Sequence, residues 1–189
     1  MKRTGTFLLF ISALILIQSC KKDAPATTET TVKPVFQAYI GTPVWTPDTV
    51  AATLTYNTTT KKKTFTISGQ KSQKKIEIIF TDPTSVDNES ITTGTYKTDG
   101  TSYLQFNYAT QIKDASGNYV FVPFGTVEPN SGTLYIDGID TTKHTITGTF
   151  KFTSSKINYD SNGNIVSVSL APVTLGTIQD MPYTFKREQ

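Results

Sequence analysis

Cysteine and histidine are almost absent, with one of each, Cys20 and His144, among 189 residues. A single thiol excludes any intrachain disulfide. A single imidazole leaves a zinc site or a Ser-His-Asp triad little to draw on. Charge is also scarce, at 17% of residues with a formal net charge of +3, against a usual ~25% charged. About 39% of residues are apolar when Gly is counted and Tyr is not, below the usual ~45–50%. No phosphate-cradling glycine loop is present. These absences point away from catalysis, and no metal and no cofactor is expected. What fills the chain instead is threonine, with 35 residues.

The one long apolar run lies at the start. Lys2 and Arg3 precede Phe7 to Ile17, an apolar stretch broken only by Ser12, and Gln18-Ser19-Cys20 follows directly. A basic start, an apolar centre and a small residue before the boundary are the parts of a secretory signal. Eleven residues at 1.5 Å rise span about 16 Å, half of a bilayer's ~30 Å hydrocarbon core, too short for a permanent crossing. Leu16-Ile17-Gln18-Ser19-Cys20 resembles the lipobox of bacterial lipoproteins. That resemblance implies cleavage before Cys20, a diacylglycerol thioether on its sulfur and an acyl group on its new amine. Several acyl chains, each contributing about 0.8 kcal/mol per buried CH₂, hold far more firmly than one myristoyl chain. Residues 1–19 are therefore read as a signal peptide and Cys20 as the lipidation site, anchoring the mature protein without spanning the membrane.

Residues 20–33 carry the lipidated Cys and a polar, Thr- and Lys-rich tether without aromatic residues, a composition unable to drive burial. Loss of Lys2 and Arg3 leaves the mature chain near charge balance, so no global field attracts nucleic acid. Lys61-Lys62-Lys63 follows Asn57-Thr58-Thr59-Thr60 and reads as a solvated hairpin turn. Residues 34–189 make one domain, long enough to bury roughly 68–70% of the surface its unfolded chain exposes.

Within that domain the dominant period is two. Ile76, Ile78 and Phe80 form one apolar stripe, Leu104, Phe106 and Tyr108 a second, and Val166, Val168 and Leu170 a third. All three predict half-buried strands. Ile146, Gly148, Phe150 and Phe152 alternate with Thr145, Thr147, Thr149 and Lys151, and the Gly marks a bulge or a close crossing. Turn chemistry separates the runs at Asp99-Gly100, Lys113 to Gly117, Asp137-Gly138 and Asp160 to Asn164. The expected fold is a single antiparallel β-sandwich or partly closed barrel of about ten strands, with a lipocalin-like up-and-down barrel as the alternative.

Pairing Ile112 with Asn118 across the Lys113 to Gly117 loop opposes Phe106 with Phe124 and Tyr108 with Val122, giving one apolar face. The other face then carries Tyr103, Gln105, Asn107, Gln111, Tyr119 and Phe121. Aromatic rings beside amides suit sugar stacking and hydroxyl hydrogen bonds. Tyr103, Gln105, Asn107, Tyr119 and Phe121 are accordingly the candidate binding residues, against the plainer reading of an ordinary solvent-facing surface.

The remaining polar groups offer less. His144 follows Thr141-Thr142-Lys143 and reads as a turn residue. Asp160-Ser161-Asn162-Gly163-Asn164 resembles the opening of a calcium loop without its bidentate Glu, so it reads as a hairpin turn. Asp137 with Asp140, and Asp82 with Asp87 and Glu89, are carboxylate neighbours of the kind glycoside hydrolysis requires, but Asp beside Gly, Pro, Asn or Thr is also what turns demand.

Phe36-Gln37-Ala38-Tyr39-Ile40-Gly41 followed by Trp45, with the late Gly148-Thr149-Phe150-Lys151-Phe152-Thr153, resembles a group of small Bacteroidetes lipoproteins of uncharacterised function. Those proteins share an early F-x-A-x-(V/I)-x-G element with a Trp and a late G-T-F-x-F strand. The resemblance implies no catalytic residues. Trp45, between Pro43 and Pro47, reads as a core anchor at a strand edge. The expectation is a monomeric cell-envelope lipoprotein of the outer membrane, on its periplasmic face or at the cell surface, binding a surface glycan or an envelope protein. The alternatives are a barrel carrying a small apolar ligand and, less favoured, a hydrolase without a recognisable motif.

Overall fold

A computed structural model describes residues 33–189 except Pro83, Ser85, Thr101 and Ser102. The signal, Cys20 and the tether up to Val32 lie outside the described residues. The described chain folds as two sheets with thirteen strands and no helix. One sheet has the order β2 (Val44–Trp45), β1 (Val35–Ile40), β12 (Ile165–Pro182), β11 (Thr145–Tyr159), β10 (Thr133–Asp140) and β6 (Gly94–Lys97), with β9 (Thr126–Val127) also paired to β11. The other has the order β13 (Thr184–Glu188), β3 (Thr49–Asn57), β4 (Lys62–Lys71), β5 (Lys74–Asp82), β7 (Tyr103–Lys113) and β8 (Tyr119–Pro123).

The sheets keep separate edges and do not close, so the fold is a β-sandwich and both barrel readings are set aside. The pairing is antiparallel except between β13 and β3. Short connections force antiparallel neighbours, whereas β13 reaches β3 from across the chain and is free to lie parallel.

The period-two stripes become the core. Phe65 and Ile67 of β4 and Ile76, Ile78 and Phe80 of β5 are at most 1% exposed, while their alternate neighbours Thr64, Thr66 and Glu77 face outward. Each such apolar side chain contributes about 1.5–3 kcal/mol on burial. From the opposite sheet come Phe36, Ile146, Phe150, Phe152 and Ile178. An aromatic seam lies between the layers: Phe106 stacks on Phe152 across the two sheets at 4.6 Å between ring centroids, and Phe36 stacks on Phe150 within the seven-stranded sheet at 5.4 Å. Gly69 of β4 lets the Phe36 ring reach the facing sheet, because a Cβ there would stand 2.6 Å from that ring. Trp45 is buried and meets Phe36 edge-on on an edge strand, as expected.

Four sequence expectations need correction. The β7–β8 hairpin pairs Ile112 with Val120 and Lys113 with Tyr119, not Ile112 with Asn118. The Asp114 carboxylate accepts hydrogen bonds from Ser116 N and Asn118 N, drawing Asn118 into the loop. The shift is two residues, so both faces keep their membership. Tyr108 now neighbours Phe124, whose N–H it receives at 2.8 Å.

Asp137-Gly138 is a bulge inside β10 rather than a turn. Lys63 is not solvated but 1% exposed inside the fold. Finally, Val166, Val168 and Leu170 are 54–63% exposed rather than half-buried. The bulge beside Gly148 is present, with register shifts on both of its neighbouring strands.

Candidate functional site

The residues proposed from sequence share one outward face but do not converge. Tyr103, Gln105 and Asn107 oppose Thr81, Ile79 and Glu77 of β5 on the outer surface of the six-stranded sheet. Phe121 opposes Gln111 and Tyr119 opposes Lys113. Ten residues of β7 separate Tyr103 from Lys113, about 33 Å at strand rise. The corrected register also moves Tyr119 and Phe121 two residues further from Asn107. Each tyrosine has its own ammonium, Lys62 over Tyr103 at 5.5 Å and Lys113 over Tyr119 at 5.3 Å, contacts of about 0.5–1 kcal/mol when exposed.

A more coherent concavity lies on the outer face of the seven-stranded sheet, where β10, β11 and β12 run side by side. Two depressions, of about 330 and about 470 Å³, meet at Thr149 and Thr177. The cause is a set of bulges. β12 carries an extra residue opposite β11 between Ile178 and Met181 and again between Val173 and Gly176, while β10 carries one between Ile136 and Gly138. Asp180 and Leu175 take positive φ at these places, 45° and 48°. Such conformations cost of order 1–3 kcal/mol and cluster at functional sites.

The glycines make the close strand approach feasible. A Cβ on Gly148 would lie 2.3 Å from the Tyr135 carbonyl oxygen, and one on Gly176 would lie 2.5 Å from that of Phe150.

The groove is furnished for hydrogen bonding. Tyr135, Thr149 and Thr177 form one cross-strand row. The Tyr135 hydroxyl donates to Asp137 Oδ1 at 3.2 Å, and Asp180 N donates to Thr147 Oγ1 at 3.1 Å. Lys151 and the exposed Leu175 border the other end. Hydroxyls that donate and accept, two carboxylates that accept and one phenol ring suit a polyhydroxylated ligand.

Sequence reasoning passed over these residues because Asp137-Gly138 looked like a turn. The available signal was a break of parity: Val173 and Ile178 both face the core although five residues apart, an odd interval that an unbroken strand cannot supply.

A second polar cluster holds the connection from β5 to β6. Lys63 Nζ donates to Asn88 Oδ1 at 2.9 Å and to the Ser90 carbonyl at 2.6 Å, and lies 3.4 Å from Asp82 Oδ2. Asp82 accepts hydrogen bonds from Thr84 N and Oγ1 and from Thr92 N and Oγ1. Burial pushes its carboxyl upward, but these four donors outweigh burial and hold it below the usual aspartate value.

Outside this pair, His144 Nε2 meets Glu89 Oε2 at 2.6 Å, Tyr183 Oη donates to the Glu89 carbonyl at 2.6 Å, and Arg187 Nε donates to Asp87 Oδ1 at 3.0 Å. His144 is a turn residue with φ 52°. Every polar group here has a protein partner that explains it, so the cluster reads as a clamp. Asp160 likewise closes the β11–β12 turn, accepting from Asn162 N and Asn164 N. Among the described residues no group of three or more His, Cys, Asp or Glu is placed to hold a metal ion.

No curated protein and no solved structure matches the chain. Residues 32–182 match the model of a family described as a domain of unknown function (DUF6252). That match covers β1 to β12 together with the groove, the Lys63–Asp82 pair and the aromatic seam between the sheets, while Tyr183 and Arg187 of the clamp lie beyond it, and the chain belongs to this family.

Proposed function

We propose that the protein is a lipoprotein of the cell envelope, anchored in the outer membrane through Cys20, whose β-sandwich binds a surface glycan rather than catalysing a reaction. The observation that carries the binding reading is the bulged groove across β10, β11 and β12. There Tyr135, Asp137, Thr147, Thr149, Thr177 and Asp180 offer stacking and hydroxyl-matching groups at one place. A polyhydroxylated ligand fits this lining because each Thr hydroxyl can both donate and accept, while Asp137 and Asp180 accept from sugar hydroxyls. The lipobox-like Leu16 to Cys20 supports the anchor.

The test is titration of purified domain with envelope and host polysaccharides by calorimetry. Tyr135→Ala and Asp137→Asn should each weaken binding about tenfold, or ~1.4 kcal/mol, with unchanged melting. Glycan binding that survives both substitutions would remove the groove from consideration, and binding lost in Tyr103→Ala and Tyr119→Ala instead would transfer it to the six-stranded sheet. The anchor is tested separately by palmitate labelling of the full chain in cells, which Cys20→Ala should abolish.

A further inference from the structure

The β11–β12 pair outgrows the sandwich. At Ser154 and Ser155 it still has β9 as a neighbour, through Val127 and Thr126, and Ala171 is still buried. Beyond those residues, Lys156 to Tyr159 and Ile165 to Leu170 pair only with each other among the described residues. The result is a two-stranded arm closed by the Asp160 turn. Both its faces meet solvent, since every residue from Ser161 to Leu170 is exposed. An isolated two-stranded ribbon is at best marginally stable in water.

The two faces differ in kind. Ile157 opposes Val168, and Val166, Leu170 and Tyr159 lie two residues from these on the same side. Ile165 joins them at the bulge opposite Tyr159. These six side chains are 44–63% exposed. The reverse face is polar: Asn158 Nδ2 donates to Ser167 Oγ and Ser169 Oγ, both at 3.0 Å, beside Lys156. The arm is thus an amphipathic ribbon whose apolar face carries nothing upon it among the described residues, although protein surfaces rarely keep a contiguous apolar patch of more than a few hundred Å² without a use for it.

We propose that this apolar face is a homodimer interface, in which the arm of one molecule packs face to face on the arm of a second copy about a two-fold axis. Six side chains at this exposure present roughly 500 Å² per copy, the size of a functional patch. Stacking two arms removes about 1,000 Å² in all, which reaches the lower bound for a specific interface. The face bears no charge, so it carries no pattern with which to choose a foreign partner, whereas an alternating Val-Ser-Val-Ser-Leu strand is complementary to itself under two-fold symmetry.

The chain enters the sheet at Val35, opposite Gln179. Some fourteen residues of β12, up to about 45 Å of strand, separate that point from the arm's end. The arm is therefore directed away from the tether's entry, where a second molecule can reach it. This inference does not rest on the glycan groove, which lies in the body of the same strands.

Residues 32–189 form one compact unit that holds every core side chain among the described residues, and they contain no cysteine. This unit can be examined by multi-angle light scattering and sedimentation over a dilution series. The expected result is twice the monomer mass, falling to the monomer mass in Val168→Lys/Leu170→Lys with unchanged circular dichroism. Ser167→Lys/Ser169→Lys, on the polar face, should keep the dimer. As a second measurement, the single thiol of Ile157→Cys should form an intermolecular disulfide under mild oxidation. A monomer at all concentrations overturns the proposal and leaves the face to a foreign partner. A dimer indifferent to Val168→Lys/Leu170→Lys overturns it too, as does a mass ladder beyond two, which would signify open edge-to-edge pairing.

Discussion

The same two strands, β11 and β12, behave in opposite ways along their length. In the sandwich body Ile146, Phe150, Phe152, Val173 and Ile178 are buried to 3% exposure or less, while in the arm Ile157, Val166, Val168 and Leu170 stand 44–63% exposed. Apolar and polar residues alternate in both regions, but the apolar side inverts between them. Phe152 and Ile157 are five residues apart and Val173 and Leu170 three, odd intervals on an unbroken ladder, so the arm's apolar stripe lies on the outer side of its sheet. The inner side of the body has a second layer, with Phe106 of the opposite sheet stacked on Phe150 and Phe152, whereas among the described residues the outer side to which the arm's apolar stripe belongs has none. Alternation therefore reports which residues share a face, and says nothing about whether that face is covered.

The comparison can be broken from the body side first. Phe152→Ala removes a ring stacked 4.6 Å from Phe106 in a filled core and should cost about 3–5 kcal/mol, read from urea unfolding. The matching substitution in the arm, Val168→Ala, should change unfolding of the monomer by less than about 0.5 kcal/mol. A large loss at Val168 under conditions that keep the protein monomeric would mean that the arm is covered by its own domain.

A polar counterpart sharpens the same contrast. Asp82→Ala strands Lys63, whose side chain is 2% exposed, and should cost about 3–5 kcal/mol as an uncompensated buried charge. The exposed His144–Glu89 pair should contribute no more than about 1 kcal/mol, measured as the loss on Glu89→Gln. Because the folded-state value of Asp82 is lowered relative to the unfolded chain, its contribution is fully present above the unfolded value and is lost as pH falls through the folded one. Stability should therefore decline in acid below about pH 4, and Asp82→Asn should flatten that decline. The smallest effects belong to the outer faces, where Tyr103→Ala and Tyr119→Ala should each stay within about 0.5 kcal/mol.

Parts of both candidate regions were legible without the structure. The Asp160 to Asn164 turn and the alternating strands around it predicted the arm's hairpin, yet half-burial was expected of Val166, Val168 and Leu170 because most strands in a sandwich have a second layer. Lys63 follows two exposed lysines at a turn, and only the pairing of β4 with β5 brings it opposite Asp82. For the groove, Asp137 and Asp180 were hidden because a bulge and a turn use the same residue types. For the hairpin of β7 and β8, hydrophobic matching could reject a slip of one residue but not of two, since a shift by two preserves both faces.

By itself the sequence determined the all-β class, the turns at Asp99-Gly100, Lys113 to Gly117 and Asp160 to Asn164, and the buried stripes of β5, β7 and β11, because these follow from local alternation and local backbone chemistry. Tertiary structure alone decided the open sandwich over the barrel, the bulges that carve the groove, the burial of Lys63 and the nakedness of the arm. Those four depend on which distant strand lies alongside or above a given one, and a period of two residues repeats identically whether or not anything does.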